Sequence, residues 1–235
     1  DLDYGAKLSG RVGDWELGLL SIRQDAFGAA DADILSVARV KLGVLRESSV
    51  GIIATDGNPG SNIDNSVAGF DFLYRNSRLP GGRRLESELW FQQSDTEGLV
   101  DEDSAFGAGI RVPSAEGFRG GVQHRRYERN FNPALGFLNR RGVTDTTFDV
   151  GHTLWPSGGA VQSWLISFDG QRIERIDGGL QSQSLNFRPI DITNRSGDRV
   201  DVINRVSKEN LIEPFEIFPG IVIPPGDYSF RDSGG

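Results

Sequence analysis

Apolar and polar positions alternate with a period of two along most of the chain, the signature of strands with one wettable face. Leu2, Tyr4, Ala6, Leu8, Gly10 and Val12 fall on one side of the first such segment, and Asp3, Lys7, Ser9 and Arg11 on the other. Gly13-Asp14 predicts a tight reversal, and 15–24 returns as its hairpin partner. Ile34, Ser36, Ala38, Val40, Leu42 and Val44 oppose Arg39 and Lys41, and 50–55 continues the sheet. The alternation is clearest in the next pair, where Ala68, Phe70, Phe72 and Tyr74 oppose Asp71 and Arg75, and Leu85, Leu89 and Phe91 oppose Glu86 and Glu88. Strands follow over 106–112, 119–127 and 144–150. In the next, Gln162, Trp164, Ile166 and Phe168 oppose Ser163, Ser167 and Asp169. From 178 to 210 both faces carry polar residues. Pro214, Pro219, Pro224 and Pro225 are spaced too closely for a central strand and predict an edge or a loop.

The predicted connections alternate in length. Short reversals at 13–14, 77–83, 114–117 and 156–159 separate longer loops at 25–32, 57–65, 95–102 and 129–142. A bacterial outer-membrane barrel has this asymmetry, with short periplasmic turns and longer external loops. The expectation is an all-β, antiparallel, up-and-down transmembrane β-barrel, or an incomplete part of one, of about a dozen strands. Lys7, Arg11, Arg39, Lys41, Asp71, Arg75, Glu86 and Glu88 then face the lumen, while Trp164, Ile166 and Phe168 meet lipid and Ser163, Ser167 and Asp169 a polar interior. Tyr4, Trp15, Tyr74, Trp90, Tyr127, Trp155 and Trp164 lie mostly near strand ends, where an interfacial girdle places aromatic rings.

The longest of these loops carries apolar weight of its own in Phe131, Leu135, Phe137 and Leu138, more than a disordered connector needs. Its run Phe131-Asn-Pro-Ala-Leu-Gly-Phe137, with Arg140 after it, resembles the F-N-P-x-x-G-F-x-x-R signature of the DUF5916 family. Further pieces match at similar spacing: Tyr4-Gly-Ala-Lys-Leu-Ser-Gly-Arg11, Ser36-Val-Ala-Arg39, Asn210-Leu-Ile-Glu-Pro-Phe-Glu-Ile217 and Ile223-Pro-Pro-Gly-Asp-Tyr228. The resemblance covers almost the whole chain and implies an outer-membrane β-barrel of a Gram-negative bacterium. Members often carry an upstream family-9-type carbohydrate-binding module and further strands beyond the Pro-Gly-x-Tyr element. Residues 1–235 therefore read as a single β-barrel domain, a section of a longer protein whose closure needs additional strands or subunits. Phe131, Asn132, Pro133, Gly136, Phe137 and Arg140 are the motif positions, with a structural or ligand-contact role. The loop is expected to be ordered, with Phe131 and Phe137 packed and Arg140 or Arg141 paired with an acidic group.

Composition adjusts this picture only at its margins. No apolar run reaches the roughly 18 residues of a membrane helix, and a hydrophobic content of 37% suits a wall with one polar face as well as a soluble sandwich with a small core. Without cysteine there is no disulfide framework and no thiolate metal site. A formal charge of −8 argues against a general nucleic-acid binder.

His124 and His152 fall on different strands with no zinc-like spacing, and Asp95, Glu97, Asp101, Glu102 and Asp103 do not follow the EF-hand order. Glu86 and Glu88 share a face as a glycosidase pair would, yet carboxylates at i and i+2 are ordinary on a strand. No catalytic residue, metal or cofactor is predicted. The expected function is a non-enzymatic outer-membrane pore, transport or export component, or scaffold. Its expected partners are membrane lipid and a saccharide or peptide ligand. A soluble carbohydrate-binding β-sandwich and a glycoside-active enzyme are the alternatives.

Overall fold

In the computed structural model, which describes residues 2–26 and 28–234, the chain is all β. The strands are β1 (Leu2–Val12), β2 (Trp15–Gln24), β3 (Asp33–Val44), β4 (Ser48–Asp56), β5 (Asn65–Leu79), β6 (Arg83–Thr96), β7 (Ser104–Val112) and β8 (Gly117–Tyr127). They continue as β9 (Val143–Leu154), β10 (Val161–Arg175), β11 (Leu180–Asn194), β12 (Arg199–Leu211), β13 (Phe215–Phe218), β14 (Ile221–Ile223) and β15 (Gly226–Gly234). Thirteen of them hydrogen-bond in the order β1 through β12 and then β15; β1 to β12 each lie beside their sequence neighbours, β15 joins β12 across the intervening hairpin, and β13 and β14 form a separate two-stranded sheet. The order does not close, since β1 and β15 each have one strand neighbour.

The predicted short reversals all fall at one end of their strands and the long loops at the other, with a further short turn at 45–47. This asymmetry relaxes after β9, where 155–160 on the short side exceeds 176–179 on the long side. The proline-rich segment is a small hairpin, β13–β14, and β15 beyond it is an edge strand that the sequence pattern did not predict.

Two compact units share the sheet. The first comprises 1–78, 86–108 and 125–143, and the second 79–85, 109–124 and 144–235. In the first, cross-strand partners Leu8↔Leu19, Leu19↔Ala38, Ala38↔Ala54 and Ala54↔Ala68 lie on the same face. The opposite face is set by the row Gly18↔Arg39, Arg39↔Ile53 and Ile53↔Gly69. Large side chains on the first of these faces are exposed: Leu8, Leu17, Leu19, Ile52, Phe70 and Leu89 among them. What is buried sits on the other face, where Val67, Ala105 and Phe131 form a small cluster.

In the second unit the alternation survives a bulge. Phe187 pairs with Asn204 but Ile190 with Val202, so β11 gains one residue at Pro189, and Trp164 Nε1 donates to the Pro189 carbonyl at 3.2 Å. Proline has no N–H to lose from the ladder there. Before the bulge Leu185 and Phe187 share a face, after it Ile190 and Ile192 do, and Phe187 and Ile190 are exposed. The extra residue shifts the parity within β11.

Candidate functional site

The motif loop, 128–142, folds onto the polar face of the first unit. Phe131 is 2% exposed, set against Val67 and Ala105 with Trp90, Tyr127 and Leu138 around it. Trp90 and Tyr127 have ring centroids 6.0 Å apart. The Trp90 indole lies over Gly107, where a Cβ would come within 2.6 Å of Nε1. These two aromatics therefore do not belong to a girdle on the apolar face. Ring size is compatible with either role; the face distinguishes both residues, and Trp90 also lies in the middle of β6 rather than near its end.

Hydrogen bonds from β5 and β6 fix the loop. The Asn132 amide donates to Ser94 Oγ at 3.0 Å, and its carbonyl accepts from Asn65 Nδ2 at 2.9 Å. Asn65 Nδ2 also donates to Thr96 Oγ1 at 2.7 Å, and Asn65 Oδ1 accepts from the Ala134 amide at 3.3 Å. Asn65, Ser94 and Thr96 are all buried, so these bonds satisfy groups that have no water available.

At the loop's entry Arg129 Nη1 contacts both Glu102 carboxylate oxygens at 2.5 and 2.6 Å, and Asn130 Nδ2 donates to the Asp101 carbonyl at 2.9 Å. Asp101 and Glu102 both hold positive φ, 60° and 49°, a conformation that costs a non-glycine residue about 1–2 kcal/mol. The Arg129 and Asn130 bonds hold them there.

One expectation for the loop is corrected: Phe137 is not packed but 86% exposed. Arg141 Nη2 donates to Asn132 Oδ1 at 2.6 Å. The Gly136 amide closes a turn on the Pro133 carbonyl at 2.7 Å, after which Phe137 projects outward and Leu138 packs back against the cluster. A cleft of about 320 Å³ runs beside it, bounded by Asn58, Pro59 and Gly60 from the β4–β5 loop and by Asn132, Pro133, Phe137 and Arg141. Asn58 also borders a second hollow of about 620 Å³, walled by Asp31, Asp33, Asp56, Asp64, Asp95 and Glu97. Among the described residues no three acidic or histidine side chains converge closely enough to hold a metal ion.

Toward the short-turn end the same face carries ion pairs that take in six of the eight charged positions singled out in the sequence, Arg11, Arg39, Lys41, Asp71, Arg75 and Glu86, and Lys7 and Glu88 lie on that face as well. Lys7 and Arg11 project from β1 on this side. Glu16 lies 3.9 Å from Arg11 and 3.8 Å from Lys41, Arg39 reaches Asp71 at 2.5 Å, and Arg75 Nε meets the buried Glu86 at 3.1 Å; Glu88 is two residues on. Glycine makes the longest of these reaches possible: a Cβ on Gly51 would lie 2.6 Å from Arg39 Nη2 and 2.9 Å from Asp71 Oδ2.

On the second unit, Ser167 is 6% exposed opposite Arg188 and does not line an open polar interior. His124 Nδ1 lies 2.8 Å from Thr146 Oγ1. Asn65, Ser94, Thr96 and Asn58 carry no motif; the only signal in the sequence is parity, which places Ser94 and Thr96 on the Glu86 face. No protein-family model, curated protein or solved structure matches the chain.

Proposed function

We propose that this chain is the wall, or part of the wall, of a non-enzymatic outer-membrane β-barrel of a Gram-negative bacterium, acting as a pore, transport or export component, or scaffold, and that it is a DUF5916-type protein. The observation that carries the reading is the inversion of its strands. In the first unit antiparallel strands expose Leu17, Ile52, Phe70 and Phe106 on the face opposite the one that holds the ion pairs and the buried cluster, and the strands of the second unit expose Ile110, Val122, Ile166 and Phe187. Soluble proteins keep contiguous apolar patches to a few hundred Å², and each exposed Å² costs roughly 25 cal/mol in water. In hydrocarbon that cost is absent.

Three further features support it. Trp15 starts β2, Trp155 follows β9 and Trp164 lies near the start of β10, each at the short-turn end of its strand and each exposed, as an interfacial girdle requires. Neighbouring strands are consecutive from β1 to β12, without the crossovers of a Greek-key sandwich. The motif pieces that resemble the family are spread over almost the whole chain. Edge strands in lipid leave backbone groups unpaired, so β1 and β15 each require a hydrogen-bonding partner in the assembled protein.

The test is refolding with and without detergent or vesicles. The expected result is a folded, β-rich species only where an apolar phase is present, with a folded band on an unheated gel that shifts on boiling. A monodisperse, folded protein in plain buffer overturns the reading.

A further inference from the structure

We propose that the cleft beside Phe137 is a binding site for a neutral saccharide chain, with the Phe137 ring as its stacking platform. The cleft is at the small end of ligand-site volumes, which begin at roughly 300 Å³. Its walls come from two loops of one compact unit, and the motif loop is held by the buried Asn65, Ser94 and Thr96 bonds, so little ordering is left for a ligand to impose. A phenyl ring 86% exposed on a loop so tightly fixed has no packing role to account for its position.

Charge decides the class of ligand. Arg141 borders the cleft and disfavours a cation there. The adjoining hollow, which shares Asn58, is walled by six carboxylates and disfavours an anion that extends into it. A neutral ligand with an apolar face and many hydroxyls fits both. Its ring C–H face can lie on Phe137, its hydroxyls can pair with the side-chain NH2 of Asn132 and with Arg141, and hydroxyls further along the chain can donate to the carboxylates. The site belongs to the first unit alone, and the inference does not depend on whether the sheet lies in lipid.

The test is titration calorimetry on the folded full chain with four neutral hexasaccharides (maltohexaose, cellohexaose, xylohexaose and chitohexaose), and with hexalysine and oligogalacturonate as charged probes. At least one neutral probe should bind. Phe137→Ala should weaken that binding at least tenfold with an unchanged circular dichroism spectrum, and Phe137→Trp should retain it. The proposal is overturned if no neutral probe binds, if Phe137→Ala binds as the wild type does, or if Phe137-dependent binding is found only for hexalysine or oligogalacturonate.

Discussion

Arg39 on β3 reaches Asp71 on β5 over the bare backbone of Gly51 on the strand between them, Nη2 to Oδ2 at 2.5 Å. Two other glycines on this face are also tightly approached, but by atoms of a different kind. A Cβ at Gly69 would meet the Phe91 carbonyl at 2.7 Å, and one at Gly107 would meet the Trp90 ring from 2.6 Å.

This contrast separates three alanine substitutions. At Gly51 the obstructing atoms are the ends of flexible side chains, and the half-exposed ion pair they form is worth about 0–1 kcal/mol, close to the 0.4–1 kcal/mol that replacing glycine gains through the unfolded chain. Gly51→Ala is therefore expected to be near neutral, and Gly69→Ala and Gly107→Ala to cost about 1–3 kcal/mol each as overpacking. Urea unfolding in vesicles measures all three. Equal losses at the three sites would contradict the close-approach argument.

Asn65→Ala removes the partners of the Asn132 carbonyl, the Ala134 amide and Thr96 Oγ1 in one step. Each buried group left unpaired costs about 1–3 kcal/mol, so the motif loop should detach before the strands melt. Hydrogen exchange should accelerate within 128–142 while β5 and β6 keep their protection. Uniform acceleration over all three segments would show that the loop and the wall are one cooperative unit.

Ile166 and Ser167 are neighbours on opposite faces. In a bilayer Ile166→Arg should cost roughly 2–4 kcal/mol near the midplane. The sequence pattern predicts that Ser167→Arg is harmless, but Ser167 is buried opposite Arg188, so a second guanidinium there should also destabilise, and Ser163→Arg is the tolerated control. Lipid contact is tested separately: Ile166→Cys should react with a bilayer-restricted thiol probe and not with an aqueous one. Aqueous labelling in sealed vesicles would remove this strand from the membrane.

Glu47, in the turn between β3 and β4, accepts from the Ser77 hydroxyl at 2.8 Å and the Ser77 amide at 2.9 Å, with Arg78 at 3.6 Å. The Ser77 side-chain hydrogen bond is the main reason its carboxyl titrates below the ordinary value of 4.5, against the opposing effect of burial. A carboxyl with a depressed folded-state pKa contributes stability above its unfolded value and loses it as pH falls through the folded one. Acidification from pH 7 to pH 3 should therefore lower the unfolding midpoint less in Glu47→Gln than in the wild type. Superimposable pH profiles would show that the turn does not depend on this charge.

The sequence was most informative where local rules suffice. Across β2–β5 the period of two assigns the faces correctly, because no extra residue disturbs those ladders, and the charged positions of β1–β6 meet on one side as alternation requires; register shifts at Leu2/Tyr4 and Val161/Ser163 interrupt the alternation in β1 and β10. It was least informative at Pro189, where one added residue in β11 reverses the parity. Trp90 and Trp15 are the same residue type, yet one packs under a loop and the other stands on the apolar face. The motif loop announces itself by its apolar residues, but the residues that hold it do not, since Asn132 meets Ser94 and Asn65 at separations of 38 and 67 positions.

Those separations make the motif loop a check on strand alignment. Ser94 and Asn65 accept or donate to Asn132 only when β5 and β6 are in their native register, because a slip of one residue turns every side chain to the other side of the sheet. A misaligned wall would keep most of its ladder hydrogen bonds and its overall apolar character, and little else would distinguish it from the correct one. It could not seat Phe131, and the buried polar groups of Asn65, Ser94 and Thr96 would lose their partners together. The energetic gap between right and wrong alignments, small along any single ladder, is thus concentrated at one loop.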